Sequence, residues 1–215
     1  MIKKGIILAG GTGSRMSPLT KAVNKQLLPI YDKPLIYYPL SVLMLAGIKN
    51  ILIIVNEGQL GQFQMVLGNG KNLGINITYK EQSRPRGLPD AFILGEKFID
   101  RDNVALILGD NFFYGQSLTK KLKECTKLKN GAKVFLHPVK NPNLYGVATI
   151  DKRKIVVNLV EKPKRTKSRF NSPSPPVQRG SRKELNLDIP LPSLSNEGAK
   201  NKSNLDLISL PPLSD

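Results

Sequence analysis

The run Gly5-Ile6-Ile7-Leu8-Ala9-Gly10-Gly11-Thr12-Gly13-Ser14-Arg15-Met16, followed by Pro18-Leu19-Thr20 and Lys25-Gln26-Leu27-Leu28-Pro29, decides the fold. Its apolar half reads as a buried first strand. The strand ends in three glycines within four residues, so backbone there comes very close to another group. Arg15 and Lys25 place two cations on the same loop, a combination that suits the triphosphate of a nucleotide. The run lacks the Gly-Lys-Ser/Thr ending of the ATPase phosphate loop, and Met16 stands where a dinucleotide fingerprint has its third glycine. A glycine-rich loop also serves as a plain strand-to-helix turn, so the loop alone leaves both readings open.

Outward from this strand, Ile51–Val55 and Val104–Leu108 are further apolar runs expected to be buried on both faces. Ile75–Tyr79 and Val134–Leu136 are additional strand candidates, and Val147–Ile150 with Ile155–Val160 read as two strands joined by a turn at Asp151–Lys154. Helical stretches lie between them. Pro34–Ala46 stops at Gly47, a C-terminal cap; Gln59–Leu67 follows; Pro89–Phe98 has proline in its first turn. Ser117–Leu128 begins at a capping serine, with Leu118, Leu122 and Cys125 on one stripe. Strands alternating with helices predict a three-layer α/β domain with a mainly parallel sheet. Such sheets bind ligands beyond the carboxyl ends of their strands, where the glycine loop and Asp110 both fall. A strand-end aspartate can turn the chain or hold a hard cation such as Mg²⁺.

The chain has 215 residues and a formal net charge of +17, spread along its length. A basic surface attracts polyanions, but no aromatic-and-basic pattern, zinc spacing or recognition helix is present to read bases, so specific nucleic-acid binding is not expected. Cys125 is the only cysteine, which excludes an intrachain disulfide, and His137 is the only histidine, which argues against a His-based metal site. No signal peptide and no run of about 20 apolar residues is present, so a soluble cytoplasmic protein without membrane contact is expected. After Pro163 the character changes: Ser172-Pro173-Ser174-Pro175-Pro176 reads as loop or polyproline helix, and beyond it leucines stand singly among Ser, Asn, Pro and Lys. Residues 168–215 are expected to be a mostly disordered tail.

Leu8 to Pro18, Lys25 to Ser41 (KQLLPIYDKPLIYYPLS), Gln82 to Gly87 with Ala91-Phe92, Leu108 to Gly115 (LGDNFFYG), Tyr145-Gly146-Val147 and Glu161-Lys162-Pro163 occur in an order and spacing that resemble the sugar nucleotidyltransferases, and among them the glucose-1-phosphate thymidylyltransferases. The likeness covers the chain to about Ser168. It implies a Rossmann-like nucleotidyltransferase core over residues 1–167, with a mainly parallel mixed sheet, and transfer of a thymidylyl group from dTTP to glucose 1-phosphate for dTDP-sugar and polysaccharide synthesis. In that reading Leu8, Gly10, Gly11 and Gly13 cradle the nucleotide, the glycines offering backbone N–H groups to its phosphates. Arg15 and Lys25 neutralise the phosphates and Asp110 holds Mg²⁺. Gln26, Gln82 and Gly87 meet the base, with Pro85 packed against it. Tyr145, Gly146, Glu161 and Lys162 face the sugar phosphate, Lys162 holding the attacking phosphate.

The likeness then breaks. In the family a Val-Thr-Gly-Leu-Tyr-like strand follows Glu-Lys-Pro, and a second metal-site aspartate stands in a Trp-Leu-Asp-Thr-Gly-like setting; this chain has neither, and no tryptophan. Glu184-Leu185-Asn186-Leu187-Asp188 has only a faint likeness to a family run. The tail therefore reads as a truncation, frame change or fusion, which would make the core incomplete and remove contacts that family homo-oligomers use. Three readings stand at this level: an active thymidylyltransferase, a remnant that binds nucleotide without turnover, and a polyanion-binding scaffold. The motif set favours the first two over the third.

Overall fold

A computed structural model describes residues 1–164 and the backbone of 185–189. These fall into two compact units, one of residues 1–129 and one that begins at Asn130. The first unit runs β1 (Lys4–Ala9), a small hairpin of β2 (Pro29–Ile30) and β3 (Lys33–Pro34), α1 (Tyr37–Leu45), β4 (Asn50–Asn56), α2 (Leu60–Leu67), β5 (Asn76–Gln82), α3 (Pro89–Leu94), α4 (Glu96–Ile99), β6 (Val104–Leu108) and α5 (Leu118–Cys125). Its sheet has the order β5-β4-β1-β6, and every neighbouring pair is parallel. Leu8 lies in register with Ile54 and with Leu108, and Asn56 with Gln82. The ends of all four strands therefore open on one side of the sheet, where the glycine loop begins.

Side-chain alternation along a strand sorts the core into two layers. On one face Ile6, Leu52 and Ile54 pack with Ala91, Leu94, Phe98 and Ile99 of α3 and α4. On the other face Ile7, Ile51, Ile53 and Val55 are fully buried, and Leu43 and Ile48, at and just after the end of α1, lie against Gly5 of β1. Each such side chain contributes about 1.5–3 kcal/mol relative to an exposed one. Helices on both faces of a parallel sheet give the expected three-layer α/β arrangement. The end of α1 is also as expected: Gly47, at φ 82°, donates to the Met44 carbonyl at 2.9 Å, and Ile48 N–H to the Leu43 carbonyl at 3.0 Å, the paired bonds of a glycine-capped helix.

Three local expectations need correction. The helix expected over Pro89–Phe98 is two short helices that meet at Gly95. Ser117 stands at the start of α5 but makes no side-chain cap bond; its backbone is left-handed, at φ 59°, not the extended conformation of a capping residue. β6 is only partly covered, with Ile107 its one fully buried residue, because it ends the strand order. β5 alternates between buried and exposed residues, as suits the other outer strand.

The second unit holds β7 (Ala132–Leu136), β8 (Gly146–Ile150), β9 (Val156–Glu161) and β10 (Leu185–Ile189). β8 and β9 are antiparallel, with an irregularity at Thr149/Ile150. Their turn is held by Asp151 Oδ1, which accepts from Arg153 N–H at 2.8 Å and Ile155 N–H at 2.9 Å, matching the turn expected at Asp151–Lys154. β10 pairs antiparallel with β7. Within the stretch expected to be a disordered tail, residues 185–189 are thus a strand; the rest of that expectation, including the boundary at Ser168, lies outside the described residues.

Candidate functional site

The strand ends of the first unit line a cleft of about 230 Å³, walled by Gly10 to Met16, Lys25, Gln26 and Asp110. Two glycines bring its parts together. A Cβ on Gly10 would overlap the Gln82 amide nitrogen and lie 3.0 Å from Asn56 Oδ1, so the loop is pressed onto the end of β5. A Cβ on Gly109 would lie 2.9 Å from Gln26 Cγ and 3.0 Å from Ala9, so the chain leaving β6 passes close enough to deliver Asp110 to Lys25. Lys25 Nζ lies 2.9 Å from Asp110 Oδ2, and both side chains are about one-third exposed, at 33% and 28%. Arg15 sits in a single 3-10 turn after Gly13, itself at φ 59°, with an exposed side chain on the cleft wall.

The polar atoms around the cleft are unevenly satisfied. Gln26 is buried and its Nε2 donates to the Gly10 carbonyl at 3.5 Å, but its Oε1 has no partner. Asn111, next to Asp110, is 1% exposed, with neither amide atom partnered. Buried polar atoms left without partners cost about 1–3 kcal/mol each; Gln26 lines the cleft, whereas Asn111 lies behind it, next to Asp110. Gln26 needs a donor; Asn111 can give and accept. Asn111 was not singled out from sequence, although LGDN places it directly after the strand-end aspartate.

Gly11 does not hold its N–H free: it donates to Asn56 Oδ1 at 3.0 Å, and Asn56 Nδ2 returns a bond to the Gly11 carbonyl at 2.9 Å. Asn56, Asn24 and Gln59 form part of the loop's support and were also missed; only the structure shows Asn56 in register with Gln82 at two strand ends. Pro85 and Gly87 lie on the exposed loop after β5, Gly87 at φ 98°. Arg86, unassigned from sequence, pairs with buried Asp90 at 2.7 Å. Leu8 is half-buried at the end of β1.

In the second unit the four remaining candidates meet at the open end of the β8–β9 hairpin. Gly146 is in register with Glu161, and Lys162 N–H donates to the Tyr145 carbonyl at 3.0 Å. Lys162 is 66% exposed, with Nζ 3.4 Å from Glu161 Oε1. Among the described residues no group of three His, Cys, Asp or Glu converges as a metal cage. Asp110 alone fits Mg²⁺, which takes one or two carboxylates and completes its shell with phosphate oxygens and water.

A parallel α/β sheet with glycines, cations and a carboxylate at its strand ends defines a ligand-binding domain of the doubly wound kind. The particular family follows from comparison. The family model for nucleotidyl transferases matches residues 4–175, and the chain belongs to that family. It is 54% identical over 165 residues to a glucose-1-phosphate thymidylyltransferase of Neisseria meningitidis, covering 77% of this chain and 57% of that protein. It is 48% identical over 170 residues to one of Mycolicibacterium smegmatis, covering 79% and 59%. The chain thus spans less than two thirds of the length of these curated relatives. A Bacillus anthracis protein assigned as a glucose-1-phosphate thymidylyltransferase, solved with sucrose, superposes with a TM-score of 0.69 at 40% identity, covering 75% of this chain and 65% of that one. A UDP-glucose pyrophosphorylase solved with UDP-glucose gives 0.62 at 28% identity, covering 76% and 70%. No helix among the described residues is long and apolar enough to cross a membrane.

Proposed function

We propose that this chain transfers a thymidylyl group from dTTP to glucose 1-phosphate, giving dTDP-glucose and pyrophosphate. The observation that carries the reading is the convergence of Gly10–Arg15, Lys25, Gln26 and Asp110 on one cleft, in a chain about half identical to named thymidylyltransferases. A phosphate oxygen of the sugar phosphate attacks the α-phosphorus; the new P–O bond forms as the bond to the β-phosphate oxygen breaks. Little covalent chemistry is asked of the protein, so position and charge carry the rate.

In this reading Gly10 and Gly13 let the loop wrap the phosphates, and Arg15 takes charge that develops on pyrophosphate as it leaves. Lys25 is a second cation beside the phosphates and also orients Asp110. Asp110 would hold Mg²⁺, which supplies charge neutralisation at the phosphate oxygens. Gln26, Gln82, Pro85 and Gly87 meet the base. Tyr145, Gly146, Glu161 and Lys162 take the sugar phosphate, and all of these residues fall within the core of residues 1–167.

The test is pyrophosphate release by the full chain with dTTP, glucose 1-phosphate and Mg²⁺. Release that requires all three is expected. No release, with dTTP still bound saturably, overturns the transferase reading and leaves a nucleotide-binding protein.

A further inference from the structure

The carboxamides of Gln82, Asn56, Gln59 and Asn24 form one hydrogen-bonded chain beneath the glycine loop. Asn56 is its centre. Its Oδ1 accepts from Gly11 N–H at 3.0 Å and from Gln82 Nε2 at 3.2 Å. Its Nδ2 donates to the Gly11 carbonyl at 2.9 Å and to Gln59 Oε1 at 3.1 Å. Gln59 Oε1 also accepts from Asn24, whose Oδ1 accepts from the Gln26 N–H. A carboxamide has two donor hydrogens and two acceptor sites, and Asn56 uses all four.

The two bonds to Gly11 decide which end of the Asn56 amide is oxygen. Turned over, it would set NH₂ against N–H and carbonyl against carbonyl, losing both bonds. Because Oδ1 is thereby fixed as an acceptor, Gln82 can meet it only with its amino end. One backbone peptide of the glycine loop sets the polarity of a side chain two links away. Gln82 is buried, so water does not compensate a reversed amide, and its nitrogen is wedged against Gly10.

We infer that Asn56 is a positioning residue that sets nucleobase preference, by holding Gln82 with its carbonyl oxygen as the end left to accept from an imide N–H. This rests on the reading above in which Gln82 meets the base. Thymine and uracil carry a hydrogen on ring nitrogen 3, whereas cytosine carries a lone pair there. A Gln82 oxygen pairs with the former and opposes the latter. Released from Asn56, the Gln82 amide can turn over and donate to cytosine.

The test compares binding of dTTP and dCTP to the full chain by titration calorimetry. The unaltered chain is expected to bind dTTP tighter by about tenfold or more, the usual scale for an unmatched buried hydrogen bond. Asn56→Leu, of similar volume but without polar atoms, should bring the ratio to about threefold or less. Asn56→Asp keeps an acceptor toward Gly11 and Gln82, so it should weaken both ligands and preserve the ratio. A residue that only braces the loop would weaken both ligands alike in Asn56→Leu, and an unchanged ratio there overturns the inference. A ratio lost in Asn56→Asp overturns it also, whether or not the leucine variant folds. Nucleotide binding without preference in the unaltered chain overturns this inference alone. Absence of any nucleotide binding overturns it together with the proposed function.

Discussion

Lys25 Nζ and Asp110 Oδ2 lie 2.9 Å apart across 85 residues of chain, joining the loop after β1 to the end of β6. Under the proposed function the two are coupled: the ammonium orients the carboxylate that would hold Mg²⁺. Asp110→Asn is expected to slow Mg²⁺-dependent pyrophosphate release by about 100-fold or more, and Lys25→Ala by a similar factor. The double variant should be slower than the worse single one by clearly less than the product of the two effects, because part of what Lys25 contributes is its hold on Asp110. Release rates for the four proteins test this; effects that multiply would show two independent contributions.

Arg86 and Asp90 form a second pair, at 2.7 Å, with very unequal surroundings: the aspartate side chain is 4% exposed and the arginine 54%. Removing the arginine leaves a carboxylate buried without its cation, whereas removing the aspartate leaves a guanidinium that can turn to water. Arg86→Met is therefore expected to cost about 2 kcal/mol and Asp90→Asn about 1 kcal/mol or less. Urea unfolding of both variants measures the order, and equal costs would show that burial of Asp90 is not what makes the pair matter.

The fold was legible where one physical effect dominated. β1 and β4 are apolar on both faces because helices cover both, and β6 was found from the same pattern although its cover is partial. The Gly95 break was hidden, since a lone glycine is tolerated in a helical pattern; only the structure shows how close Gly95 lies to Ile6 and Leu52 where the two helices meet. The cleft residues Gly10, Arg15, Lys25 and Asp110 were legible from types and spacing, Gln26 only through the family resemblance, and the structure places the five together. The amide chain through Asn56 and the Arg86–Asp90 pair were not. Hydrogen bonds between polar side chains on separate elements leave no periodic trace, and Asn56 reads locally as a strand terminator.

Tyr79 supplies a pH dependence that does not rest on the catalytic reading. Burial first, and nearby Tyr37 second, push its pKa from 10.0 up to about 12, and its hydroxyl donates to the Gly68 carbonyl at 2.6 Å. The folded protein thus keeps this proton through a range in which the unfolded chain has lost it. The unfolded state binds fewer protons there, so stability should fall as pH rises from about 10 to about 12. Tyr79→Phe removes the titrating group and should flatten that part of the profile. Denaturant midpoints for both proteins at intervals from pH 9 upward, on the order of half a unit apart, check it; parallel profiles would assign the alkaline loss to other groups.

Two helix-associated glycines should respond to alanine in opposite directions. Gly61 lies in the first turn of α2 with nothing within 4 Å of an added Cβ. Its backbone is helical, so Gly61→Ala chiefly restricts the unfolded chain and is expected to stabilise by about 0.5–1 kcal/mol. Gly95 joins α3 to α4, where a Cβ would lie 2.8 Å from the Ala91 carbonyl oxygen, 3.0 Å from Ile6 Cδ1 and 3.3 Å from Leu52 Cδ2. The first neighbour is backbone, and the other two belong to the core cluster that seats both helices on the sheet. The carbonyl cannot give way without moving the end of α3, and the two side-chain ends must shift with it, so Gly95→Ala should cost about 1–3 kcal/mol through overpacking. A stabilising Gly95→Ala, by thermal or urea unfolding, would mean that the helices rest less tightly on β1 and β4 than these distances require. The bend would then reflect the local preference of Gly95 and not the close approach of helix to sheet.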